Sequence, residues 1–182
     1  DQMIVPVASG ALLCAMHRGL HQLKEIGLID EVNVKISGCQ ASGCGPVAQA
    51  FEEGSDVITP VETPNTIAKS IAIGDPGDGA YVLKTIKSTK GVMGGVSDNE
   101  IVDSIRLLAR SEGVFTEPAG GVTIALLRKM VNEGRINRDE VVVCCITGNG
   151  LKSNEAIYSI DNQIKIEPTL DALVEKVSEL GD

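Results

Sequence analysis

The chain has 182 residues, enough for one domain with a substantial core, and its 43% hydrophobic content excludes an intrinsically disordered protein. Lys plus Arg number 16 against 25 Asp plus Glu, a net charge of −9, and aromatic residues make up 2% with no Trp; both features argue against nucleic acid as a partner. No run approaches the roughly 20 apolar residues of a membrane helix, and five cysteines, with Cys144 and Cys145 inside an apolar run, indicate reduced thiols and a cytoplasmic setting.

Met3–Val7 reads as a short buried strand. From Gly10 to about Ile26 the residues Leu13, Met16, Leu20 and Leu23 form one helical stripe, with Gly27 as its stop. Val32–Ser37 reads as a strand and Pro46–Glu53 as a short helix. Thr63–Ile73 predicts a helical turn or two, closed by Gly74-Asp75-Pro76, and Gly79–Ser88 another helix. Gly91–Val96 is a strand or a connection. Ser97 lies three residues before Glu100, a capping box opening a helix over Ile101–Arg110. Pro118 begins a helix that reaches about Asn132. Glu140–Ile146 is a near-continuous Val/Cys/Ile run, as in strands buried on both faces. Thr169–Leu180 closes the series as an amphipathic helix with Asp171, Glu175, Lys176 and Glu179 on its exposed face. Strands interleaved with helices, without repeats or linkers, predict an α/β fold: an open, mostly parallel sheet with helices on both faces. The first strand abuts residue 1, as expected of a piece of something longer.

Two segments carry candidate chemistry. In Val5-Pro6-Val7-Ala8-Ser9-Gly10-Ala11-Leu12 a strand passes through small residues into a helix. Free N–H groups and the dipole at a helix start suit an anion; an ordinary tight turn capped by Ser9 explains the pattern as well. In Ile146-Thr147-Gly148-Asn149-Gly150-Leu151-Lys152 a strand ends in a hydroxyl residue and a glycine turn, where ligands of open α/β sheets bind. Alone, it also reads as a plain strand terminus.

Together, VPVASGALL, SGCQASGC, TPNTIAKSIAIGDP, EGVFTEPAGG and TGNGLKS, in that order, resemble the carboxy-terminal half of the threonine synthases. These belong to the tryptophan synthase β-like, fold-type II enzymes that use pyridoxal 5'-phosphate. The resemblance covers about Val5 to Ser153 and implies the large cofactor domain of such an enzyme. It implies a reaction of O-phospho-L-homoserine with water to give L-threonine and phosphate, and a homodimer. By position, Ala8, Ser9, Gly10, Ala11 and Leu12 fall on the loop for the cofactor phosphate. Many members have Gly-Asn-Ala-Gly-Asn there, so two amide side chains are lost while the backbone donors survive. Thr147 falls on the residue whose hydroxyl meets the pyridine nitrogen.

Glu117 matches an acidic residue near the cofactor, though compensation of the helix dipole with Pro118 at the first position reads equally well. Thr66 and Ser70 match a stretch expected near the mouth of the active site, while an exposed cap also explains Thr66. Cys39 and Cys44 follow a strand end, and Cys39 is expected to line the cleft. The Schiff-base lysine lies upstream in the family, and neither Lys69 nor Lys152 matches it, so no catalytic residue is expected here and the chain alone is expected to be inactive. Threonine or serine dehydration within the superfamily, and a non-catalytic module for phosphate-bearing ligands, are the alternatives.

His17 and His21, with Cys39 and Cys44, imitate a four-ligand zinc site. The pair lies about 90–120° around the helix from the Leu13/Leu20 stripe, by the 100° helical step. A solvated flank with buried thiols is the expected reading, and no metal.

Overall fold

The computed structural model describes residues 1–153, 155 and 166–180. Four strands, β1 (Gln2–Pro6), β2 (Lys35–Ala41), β3 (Met93–Val96) and β4 (Val142–Cys144), form one sheet in the order β3-β2-β1-β4, with every pairing parallel. Six α-helices are described: α1 (Ala11–Glu25), α2 (Pro46–Glu52), α3 (Gly79–Ser88), α4 (Asp98–Glu112), α5 (Pro118–Asn132) and α6 (Leu170–Leu180).

Alternation along each strand divides the core into two layers. Val5, Val7, Ile36 and Met93 face one side, where Leu13 of α1, Val47 of α2 and Val82 and Ile86 of α3 cover them. Ile4, Cys39, Ala41 and Val96 face the other, against Val122 and Leu126 of α5, with Ile101 and Ile105 of α4 in the same cluster. The expected open sheet with helices on both faces is therefore observed, and the sheet is wholly parallel. The helix α5 is buried from Pro118 through Leu126 because it lies between the sheet and α4. Gly121 makes that approach possible: a Cβ there would stand 2.6 Å from Ile105 Cγ1. Burying one side chain such as Leu126 contributes about 1.5–3 kcal/mol.

Several boundaries follow the sequence closely. Gly79–Ser88 and Pro118–Asn132 are helices over the expected residues, and both bonds of the Ser97/Glu100 capping box are present at the start of α4. Three expectations are corrected. The second strand starts at Lys35, not Val32, and runs on to Ala41 through small residues that suit a buried central position. Gly38 is one of them, since a Cβ there would meet Met93 Sδ at 2.6 Å. Thr63–Ile73 yields only a 3₁₀ turn over Lys69–Ile71.

The run Glu140–Ile146 gives a three-residue strand at the rim of the sheet, and Val141 and Val143 are 65% and 50% exposed. Apolar composition alone cannot tell a rim strand from a central one. The opposite rim differs: Lys129 Nζ donates to the Gly95 carbonyl of β3 at 2.9 Å and pairs with Glu100 Oε1 at 3.1 Å. No described helix is long and apolar enough to cross a membrane.

Candidate active site

At the carboxyl ends of β1 and β4 the chain forms a cleft of about 240 Å³, lined by Pro6, Ala8, Ser9, Gly10, Ala11, Leu12, Ser70, Ile71, Glu117, Ala119 and Thr147. All five residues of the candidate phosphate loop thus meet Thr147 around one space, joined by Glu117 and Ser70.

The loop end is built from backbone. Gly10 precedes α1 with φ +102°, and a Cβ there would stand 2.6 Å from Val82 Cγ2 and 2.9 Å from Asp78 Cβ. Both facts require glycine. The Asp78 N–H donates to the Ser9 carbonyl at 2.9 Å, holding the turn against the segment before α3. The first turn of α1 contains no acidic residue, and its only side-chain partner among the described residues is Ser9 Oγ, 3.4 Å from the Ala11 nitrogen. A helix start of this kind offers N–H groups and positive potential to an anion.

The other end depends on stitching between two loops. Thr116 and Asn149 form an antiparallel bridge, and the Gly150 N–H donates to the Phe115 carbonyl at 3.0 Å. The single proton of the buried Thr116 hydroxyl is shared among the carbonyls of Glu117, Thr147 and Gly148, at 3.2, 3.3 and 3.2 Å. Glu117 takes the N-cap position of α5 but does not cap it with its side chain. Instead Oε1 accepts from Ser70 Oγ at 3.3 Å. Gly148, at φ +75°, packs so closely that a Cβ would come within 2.1 Å of Glu117 Oε1. The Thr147 hydroxyl, half-buried, has no hydrogen bond among the described residues, so it is free to donate into the cleft.

Two expected neighbours lie elsewhere. Thr66 is buried; its hydroxyl donates to Asp98 Oδ1 at 2.5 Å and accepts from the Ala68 N–H at 3.1 Å. Neither the mouth of the cleft nor an exposed cap describes it: it ties the segment before Lys69 to the start of α4. Cys39 is fully buried in the sheet, its thiol facing the Val5 carbonyl and Thr123, and burial pushes its pKa up to about 12. In register with Pro6 and on the α5 side of the sheet, it packs among Ile71, Ala119 and Ala8 beneath the cleft and is covered by them instead of lining its surface. Cys44 is buried as well. Lys69 and Lys152 do not line the cleft. Pro6, Ile71 and Ala119 do, and sequence reading missed them, since apolar residues next to a motif carry no chemical signal of their own.

The family described as "Pyridoxal-phosphate dependent enzyme" matches residues 1–148. The chain belongs to that family. The residues fit its cofactor: glycine at position 10 allows the tight turn into α1, the α1 start has open donors, and the unpartnered Thr147 hydroxyl stands on the same cleft. Among relatives of this pyridoxal-phosphate chain, the threonine synthase of Methanocaldococcus jannaschii is 41% identical over 181 residues, 99% of this chain and 44% of that protein. That of Methanosarcina acetivorans is 35% identical over 178 residues, 97% of this chain and 44% of that protein. The chain spans less than half the length of these curated relatives. Solved structures share the fold: threonine deaminase isoform 2 from Solanum lycopersicum, with a TM-score of 0.61 at 19% identity, covers 85% of this chain and 42% of its own. Maize serine racemase, with a TM-score of 0.59 at 19% identity, covers 99% and 46%.

Proposed function

We propose that this chain is the cofactor-holding, carboxy-terminal portion of a threonine synthase, which converts O-phospho-L-homoserine and water to L-threonine and phosphate. The observation that carries the reading is the meeting of Ala8–Leu12 and Thr147, from opposite ends of the sequence, on one cleft. Identity to threonine synthases along almost the whole chain supports the choice of reaction.

Bound pyridoxal phosphate supplies an electron sink for charge developing at the substrate carbon. The N–H groups at the start of α1 and the Ser9 hydroxyl hold its phosphate. Thr147 would donate to the ring nitrogen; a hydroxyl serves a neutral nitrogen and cannot pair with a pyridinium as a carboxylate would, so the sink would be moderate. Glu117, fixed between Ser70 and Gly148, keeps the Thr147 loop in place. Ile71 and Ala119 exclude water from the cleft walls. The lysine that anchors the cofactor belongs to polypeptide outside this chain, and the isolated chain is inactive.

The test is a titration of the purified chain with pyridoxal phosphate, followed by visible absorbance. Weak saturable binding is expected, displaced by inorganic phosphate. Thr147→Ala should weaken it roughly three- to tenfold, the worth of one hydrogen bond, and Thr147→Ser should restore it. Binding indifferent to phosphate and to Thr147, or a borohydride-trapped adduct on Lys69 or Lys152, would overturn the reading. In the full-length protein, faster elimination from threonine or serine than turnover of O-phospho-L-homoserine would reassign it as a dehydratase.

A further inference from the structure

The sequence contains two histidines, and both lie on α1, four residues apart and outside the cleft lining. Their rings meet edge to face, with centroids 4.7 Å apart and planes at 85°. The two Nε2 atoms are 3.2 Å apart, one donating to the other. His17 is half-buried, and burial first and His21 second hold its pKa below the ordinary imidazole value.

Two nitrogens each about 2.0–2.1 Å from one ion are roughly 2.9 Å apart at a right angle and roughly 3.4 Å apart at the tetrahedral angle. The observed 3.2 Å lies between these limits. We propose that His17 and His21 form a two-imidazole chelate for a divalent first-row transition ion such as Zn(II) or Ni(II), water filling its other positions. Both rings must turn out of their mutual hydrogen bond to aim their Nε2 lone pairs at one point. Each ring then carries its hydrogen on Nδ1: the proton between the Nε2 atoms moves to Nδ1 through water, and a neutral pair releases none. The thiols of Cys39 and Cys44 are 0% and 1% exposed and take no part. Cys14 lies three residues before His17, and the Cys14→Ser variant below tests whether its thiol takes part. The net charge of −9 favours the approach of a cation.

Two histidines in the whole chain make the test direct, because the imidazole region of the proton spectrum reports on these rings alone. Titration of the purified chain with Ni(II), and separately with Zn(II), should move or broaden both rings together at a stoichiometry of one. Calorimetry should rank Ni(II) above Mn(II) and find no binding of Mg(II), which prefers oxygen ligands. Loss of either ring removes the chelate, so His17→Ala and the exposed-site variant His21→Ala should each weaken Ni(II) binding about tenfold or more. Cys14→Ser should leave it unchanged. Ni(II) should also raise the thermal midpoint of the parent chain and not that of His21→Ala. A response from one ring only, affinity that survives His21→Ala in a folded chain, or affinity lost with Cys14→Ser would overturn the proposal.

Discussion

The two ends of the cleft are made differently. At the α1 end the work falls to backbone N–H groups, and the sequence needs only small residues and one glycine held at φ +102°. At the β4 end the cleft is lined by the Thr147 hydroxyl, on a loop that another segment holds. An end built from backbone tolerates changes of side chain but not of backbone geometry. The hydroxyl end is sensitive to chemistry at Thr147 and to anything that loosens Thr116 or Glu117.

Breaking the backbone end should have the largest effect. Gly10→Ala combines a disfavoured φ with contacts on Val82 and Asp78 and should cost about 3 kcal/mol or more, read as a lower denaturation midpoint and lost cofactor binding. Gly148→Ala comes next. The positive φ contributes about 1–2 kcal/mol of destabilisation, and the new methyl displaces a flexible carboxylate rather than backbone, so cofactor affinity should fall more than stability. Thr116→Val keeps the volume and removes the shared proton from three carbonyls; about 1 kcal/mol in denaturant titration is expected. If it proves costlier than Gly10→Ala, the contrast between the ends fails.

The smallest effect near pH 9, growing above it, is a pH dependence of the sheet beneath both ends. Burial raises the pKa of Cys39 to about 12 and of Cys144 to about 11, from an ordinary value of 9.0. The unfolded chain therefore loses these protons first as pH rises, so both groups leave stability unchanged below about pH 9 and erode it progressively toward pH 12. Thermal midpoints between pH 8 and 10.5 should begin to fall above pH 9, and less so in Cys39→Ala measured against its own value at pH 8.

The elements most legible in the sequence were those with local punctuation. Pro118 opens α5, and Ser97 with Glu100 opens α4, through bonds made within one turn. Each cleft-forming segment alone also reads as an ordinary turn or strand end, and the two became legible only in combination with the other motifs. What escaped was decided by distant partners. The position of β4 at the rim depends on which strand pairs with β1, and an apolar run is silent on that. Thr66 faces Asp98, 32 residues away, instead of the cleft. Ser70, in the same stretch, does reach the cleft and meets Glu117. Cys39 is in register with the cleft-lining Pro6 but fully covered by its neighbours, and burial of that kind is set by packing that the sequence does not display. The tie from Thr116 to the Thr147 loop had a visible sign, a hydroxyl just before Glu117-Pro118, but its partners lie 31 and 32 residues on.

The bonds from β4 to β1 include those at the Val141 carbonyl and the Cys145 N–H, and the register leaves the backbone groups of Val142 and Cys144 pointing outward. With Val141 and Val143 largely uncovered beside them, this rim is adhesive to any peptide that can lie extended along it. Concentrated preparations of the chain by itself should thicken on storage into ribbon-like aggregates. A lysine at position 143, playing the part that Lys129 plays on the other rim, should keep the solution clear.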